Sequence, residues 1–329
     1  MTAIVPGLEG LSRRFGTRSA AVVALTCATA VWGWSYLATV WLLPEMGTAS
    51  LVAVRFTFAG LLMVAVRPKA VLRLGRRSVA AGLGLACCLG TGTLLQVHGQ
   101  QYLPASQSGF LTSLFVVLAP LMGRLLFGAR VAPGVWAAVA VAMAGLAIVS
   151  FNGVSLNTGT WLTLGAALCY SVQLCLLSEY SSSDNVYGLA TLQILGTGVI
   201  AAVGAVPRGV DLPDTGPGWG WLAYSTLLAT LGMYVVQTWA QSRVPAATAA
   251  VVLACEPLFV SLFSVIVGIS LTQRTVVGGL LIVVAMGIVI ASERRGEPPL
   301  ADPLAVPGGT AQADAQAPPP GSRDTSGTG

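Results

Sequence analysis

Two ionisable residues stand where the chain is otherwise apolar. Glu256 is the only carboxylate well inside a long apolar stretch, about eleven residues into 245–267. Arg55 is the only base deep inside one, six residues into 49–66. A charge in such a setting costs several kcal/mol, so each residue is a functional candidate by default. Glu256 is suited to take up and give back a proton, or to meet an amine. It could instead be a packing acid bonded to neighbouring hydroxyls, with Pro257 shaping a kink. Arg55 keeps its charge at any accessible pH and can hold a carboxylate or phosphate, or pair with Glu256. It could also snorkel to the nearby interface.

Four glutamines form a second set. Gln96 and Gln100 are spaced i, i+4 on one helical face, and so are Gln237 and Gln241, with 141 positions between the pairs. Amides both donate and accept without titrating, which suits a polar or zwitterionic ligand, although bonds between helices would use them equally well. Trp32 and Tyr234, with Trp34, Tyr36 and Trp239, could wall an aromatic cavity. His98 is the only histidine, which excludes histidine metal clusters and Ser-His nucleophiles. It could shuttle protons, but the repeat places Trp239 opposite it, which favours a polar-interface role. The glycine runs at 82–84 and 90–92 lack the strand-and-helix setting of a phosphate loop and read as close helix contacts. No metal site, cofactor site or catalytic set is expected.

The elements that carry these residues are apolar throughout. Mean hydropathy is +0.79, 55% of residues are hydrophobic and 9% are charged. A soluble domain carries about a quarter charged residues. A membrane span needs about 20 apolar residues, and ten stretches qualify: roughly 20–40, 49–66, 78–99, 104–127, 133–151, 158–178, 187–206, 218–239, 245–267 and 275–292. None alternates with the period of a barrel strand, and hydrocarbon leaves open backbone groups unsatisfied, so all read as helices. The basic residues have a direction. Of the 17 Lys and Arg, only Arg208 and Arg274 fall in one set of connections, Arg55 lies in a span and Arg323 in the tail. The rest fall in the opposite set, which the positive-inside pattern makes cytoplasmic along with both termini. That placement, rather than nucleic acid, accounts for the basic pI near 9.1. The most basic linker, 67–77, belongs at the anionic inner membrane surface.

The two halves of the chain match. Gln96, Gln100, Pro104 and Ala105 recur as Gln237, Gln241, Pro245 and Ala246, and Ala28-Thr29-Ala30-Val31-Trp32 opposes Ala166-Ala167-Leu168-Cys169-Tyr170. An odd number of helices per half makes the second half enter the membrane from the other side, so five plus five predicts an inverted repeat. The expected fold is an all-α integral membrane protein of ten transmembrane helices in two inverted five-helix repeats. Its parts are a cytoplasmic arm at 1–19, repeats at 20–151 and 158–292, and a disordered tail at 296–329, where nothing offsets the entropy of ordering.

At several of these positions the chain resembles EamA-type carriers of the drug/metabolite transporter superfamily. The matching pieces are Trp32-Gly33, Arg55-Phe56 with Ala59-Gly60, and Gly109-Phe110-Leu111-Thr112 leading to Pro120. Glu256-Pro257, Gly268 and Gly278-Gly279 complete the set, and the resemblance covers about 20–292. It implies a ten-helix inner-membrane carrier, usually an exporter of amino acids, metabolites or drugs. The family's Gly-Glu-Arg before the fifth and tenth helices is absent: Gly128-Ala129-Arg130 and Gly268-Ile269-Ser270 stand there.

The function expected is proton-coupled export of a small organic molecule by alternating access across the cell membrane. Glu256, Arg55, Gln96, Gln237, Trp32, Tyr234 and His98 are the candidate substrate and coupling residues, and Pro120 and Pro257 the candidate kinks. The expected partners are a small-molecule substrate, the proton gradient and the lipid bilayer, with a homodimer as a candidate assembly and no nucleic acid. A membrane-embedded enzyme on lipid-linked substrates is the competing class, and an importer or facilitator competes within transport. The enzyme would want clustered acids or histidines at a membrane face, which this chain lacks.

Overall fold

Hydropathy and small residues shape almost every element. The computed structural model describes residues 16–103, 105–128, 133–150 and 157–268, with scattered positions between 273 and 288. The expected disordered tail and most of the N-terminal arm lie outside the described residues, as do Ala129-Arg130 and Ile269-Ser270. The described positions of the tenth expected span are helical.

Among the described residues the chain is helical with no strand. In order it runs α1 (Thr17–Leu42), α2 (Thr48–Val66), a short α3 (Pro68–Leu72), α4 (Arg76–Gly99), α5 (Ala105–Thr112), α6 (Phe115–Phe127) and α7 (Pro133–Ser150). The second half follows with α8 (Thr158–Tyr180), α9 (Val186–Ala205), α10 (Gly216–Ala223), a π-helix (Tyr224–Gly232), α11 (Met233–Gln241), α12 (Ala246–Leu253) and α13 (Glu256–Ile266). Among the described residues seven helical segments are long and apolar enough to cross a membrane, and Phe115–Phe127 and Trp136–Gly145 are shorter apolar helices. Phe58, Leu61, Leu125 and Val203 are exposed. Such apolar groups are stable on an outer surface that faces lipid.

Two expected spans are each broken in two, and at matching places. The stretch 104–127 becomes α5 and α6, and 245–267 becomes α12 and α13. Adding 141 to the ends of α5 gives the ends of α12, and Phe115 corresponds to Glu256. Both breaks use short i→i−3 bonds, Val116 N to Ser113 O at 3.0 Å and Leu258 N to Cys255 O at 3.0 Å. The causes differ. In the second half Pro257 has no N–H to offer the preceding turn and sits in the first turn of α13. In the first half the interruption lies ahead of Pro120, which is inside α6. There the hydroxyls of Thr112 and Ser113 bond back to Ser108 O and Gly109 O, each at 2.8 Å, a contact that bends helices.

The halves interlock. The most extensive helix contacts join α2 to α9 and α4 to α8 and α9, and α1 packs on α13 and α11. Close approach of α2 and α9 depends on Gly198, where an added Cβ would meet Thr57 N at 2.5 Å. At the end of the bundle where α1 hands over to α2, side chains tie the halves together. Asp211 accepts from Gly47 N and Ser50 Oγ, both at 3.1 Å. Glu45 accepts from Asp214 N at 3.1 Å and from Thr215 Oγ1 at 2.8 Å. Trp41 and Trp221 pack beside that tie, with ring centroids 4.6 Å apart.

Candidate functional site

A cavity of about 90 Å³ lies between the halves, lined by α1, α2, α4 and the α5–α6 break from the first half and by α8, α11 and the α12–α13 break from the second. A water needs roughly 10–15 Å³ by the same measure, so several waters or a small organic group fit. Its walls carry one acid and one base, Glu256 and Arg55, 9% and 8% exposed.

Arg55 does not snorkel. It turns inward and donates from Nε to Thr230 Oγ1, and its guanidinium carbon lies 5.4 Å from the Phe56 ring centre. Among the described residues its two terminal nitrogens have no hydrogen-bond acceptor, so the planar fork that fits a carboxylate is presented unused. Thr230 belongs to the π-helix and donates its hydroxyl proton to Ser225 O, five residues back, at 2.8 Å. The same stretch offers Ala229 O to Trp32 Nε1 at 2.7 Å, and its Tyr224 hydroxyl donates to Val31 O at 2.7 Å. π-Helical insertions concentrate at functional sites, and this one holds Arg55 and Trp32 in place.

Glu256 is the first residue of α13, directly after the break. Its carboxyl has no hydrogen-bond or ion-pair partner among the described residues, and it does not pair with Arg55. A buried carboxylate left so is compensated by a proton or by a cationic ligand. Among the described residues no hydroxyl bonds to it, as a packing acid would require.

Gln96 is fully engaged. Its amide nitrogen donates to the Tyr36 hydroxyl and to Thr112 Oγ1 at 3.1 Å, and its oxygen accepts from the Tyr170 hydroxyl at 2.9 Å. Tyr170 reaches it because position 92 is glycine: a Cβ there would sit 2.8 Å from the Tyr170 ring. Gln237 is the reverse. It is 3% exposed and lines the cavity, and its Oε1 is buried without a partner among the described residues. Gln100 lines the cavity with the same kind of orphan oxygen. Gln241 does not reach the cavity; its amide donates to Leu174 O and Ser178 Oγ, each at 3.1 Å.

Trp32 and Tyr234 form one aromatic wall, 5.2 Å apart, with Phe56 behind Tyr234 at 5.9 Å. Trp34 packs instead on Phe263 and Trp221, and Trp239 lies under Arg243. His98 is exposed beside Tyr102, outside this cavity. Sequence reasoning missed Tyr170, Gln173, Thr93 and Thr112 as lining residues. Tyr170 had a usable signal, since the repeat sets it opposite Trp32. Gln173, which donates to Gln193 at 3.2 Å, is a lone amide in an apolar helix.

The model of the EamA-like transporter family matches the chain twice, over 19–151 and 157–291. The chain belongs to the EamA-like transporter family. It is therefore a multi-pass membrane transporter, and family membership argues against an enzyme. The chain is also similar to an uncharacterized transporter of Archaeoglobus fulgidus, 29% identical over 285 residues that cover 86% of this chain and 88% of that one. A solved crystal structure has the same fold at a TM-score of 0.70, with 19% identity, covering 85% of this chain and 100% of the other. At that identity it speaks for the fold alone.

Proposed function

We propose that this EamA-like transporter is a proton-coupled exporter of small organic molecules that carry both an amine and an acid group. On this reading ten helices form two inverted five-helix repeats in the cell membrane, with both termini cytoplasmic. The halves rock around the central cavity by alternating access. The observation that carries the proposal is the unpartnered Glu256 carboxyl inside that cavity. A proton and a substrate ammonium group compete for it, and mutual exclusion at one carboxyl is sufficient to exchange one for the other across the membrane. Arg55 takes the substrate carboxylate with its free fork. Trp32 and Tyr234 give the ammonium group an aromatic face, an interaction worth about 0.5–2 kcal/mol. Gln237 and Gln100 supply acceptors for its remaining N–H groups.

The test compares metabolites inside and outside cells expressing wild type, Glu256→Gln or an empty vector, followed by proteoliposomes with an imposed pH gradient. A zwitterionic compound should leave cells only with wild type, and the gradient should drive its flux only through wild type. Equal coupled flux through Glu256→Gln would remove the coupling role. Flux that follows the substrate gradient without the pH gradient would make the protein a facilitator.

A further inference from the structure

A second cavity, distinct from the central one, opens at the end of the bundle where α2 passes through α3 into α4. It encloses about 560 Å³ and is bounded by α2–α3 on one side and by α9 and α11 on the other. Arg67, Lys69 and Arg73 line it from the first half and Arg243 from the second, against one carboxylate, Asp184. No ion pair joins Asp184 to Arg67, Lys69 or Arg73, so the pocket keeps an excess of positive charge.

Two of the four cations are held against aromatic rings. The Arg67 guanidinium lies 5.8 Å from the Tyr187 ring centre and that of Arg243 4.3 Å from the Trp239 ring centre. Arg243 also donates from Nη1 to Trp239 O and Ser242 Oγ, each at 2.7 Å. The short helix α3 is seated on α9 at Gly188, where a Cβ would meet Ala70 O at 2.5 Å. Lys69 and Arg73 are exposed at the rim. Val235 and Trp239 provide a buried apolar floor, and Val66 is exposed at its edge. A basic pocket between membrane helices, half apolar and at the surface level, suits a phosphate headgroup with its glycerol backbone.

We propose that this pocket binds a phosphate group, carried by an anionic phospholipid or free in solution, and that the bound phosphate ties the α2–α3 corner of the first half to Arg243 of the second. The positive-inside pattern makes this the cytoplasmic end, where anionic lipid and phosphate compounds are both available.

The experiment measures thermal unfolding of the purified full chain in neutral detergent with added phosphatidylglycerol, phosphatidylcholine or inorganic phosphate. Wild type, the Lys69→Gln/Arg73→Gln double variant, Arg243→Gln and the outlying control Arg124→Gln are compared. Phosphatidylglycerol should raise the unfolding temperature of wild type and of Arg124→Gln, and phosphatidylcholine should not. The double variant and Arg243→Gln, each sufficient if the other fails to fold, should lose most of that rise. A rise with inorganic phosphate, lost in the same variants, would assign the site to a free anion. An equal rise in all four proteins, or none in wild type, would overturn the site.

Discussion

The two halves bring corresponding helices to the cavity, except that α2 lines it and its repeat partner α9 does not, and they bring different chemistry. At the matched breaks, the first residue of α6 is Phe115 and the first residue of α13 is Glu256, and both line the cavity. At the 138-residue offset that sets Trp32 opposite Tyr170, Arg55 falls opposite Gln193. Gln193 is buried in bonds to Gln173 and Thr238. One half supplies the base and the other the acid, each facing a neutral partner in the repeat. The glutamines diverge as well: Gln96 is spent on Tyr36, Tyr170 and Thr112, while Gln237 keeps an unused acceptor. The family model matches both halves, and differences at single residues give the cavity one acid and one base.

The sharpest way to break this comparison is to exchange the matched residues. Glu256→Gln should reduce gradient-driven transport at least tenfold, a loss of about 1.4 kcal/mol or more in barrier terms. Phe115→Leu, at the equivalent place, should leave it within about twofold, because one apolar group replaces another and no charge leaves the cavity. Equal losses would mean that the halves contribute packing alone. Next in size, Arg55→Lys should weaken apparent substrate affinity about tenfold for compounds with a carboxylate and little for those without, because an ammonium cannot reproduce the fork. A uniform loss would place Arg55 in the frame rather than at the substrate.

The glutamine contrast makes a smaller and opposite pair of effects. Gln96→Leu strips three partners and should lower stability by about 1–3 kcal/mol, read as a lower unfolding temperature. Gln237→Leu should cost little stability and shift selectivity between substrates. Gly92→Ala acts through packing, because a Cβ 2.8 Å from the Tyr170 ring must displace it. About 1 kcal/mol of destabilisation should come with a weakened Tyr170–Gln96 hydrogen bond, read as a lower unfolding temperature.

Much of this was legible in the chain. Hydropathy located the seven long apolar segments of the described residues, because burial in hydrocarbon is decided locally by side-chain polarity over one span. Arg55 and Glu256 stood out for the same reason: a charge in an apolar stretch is visible without a fold. The broken helices were half legible. Pro257 announces the second break, but Thr112 and Ser113 cause the first one through hydroxyl bonds that common residues make in only some settings. The π-helix gave no warning, since an i−5 bond from Thr230 depends on what surrounds it.

Position in the bundle was decided elsewhere. Gln100 and Gln241 are repeat partners with the same spacing, yet one lines the cavity and the other bonds across to α8. His98 carried a plausible chemistry and lies on another surface. The amino-acid sequence by itself determined a duplicated membrane chain with one acid and one base inside it. Only the tertiary structure decided that the two charges share a cavity without pairing, because that depends on how α1, α2 and α4 meet α8, α11 and α13 across more than a hundred residues of chain.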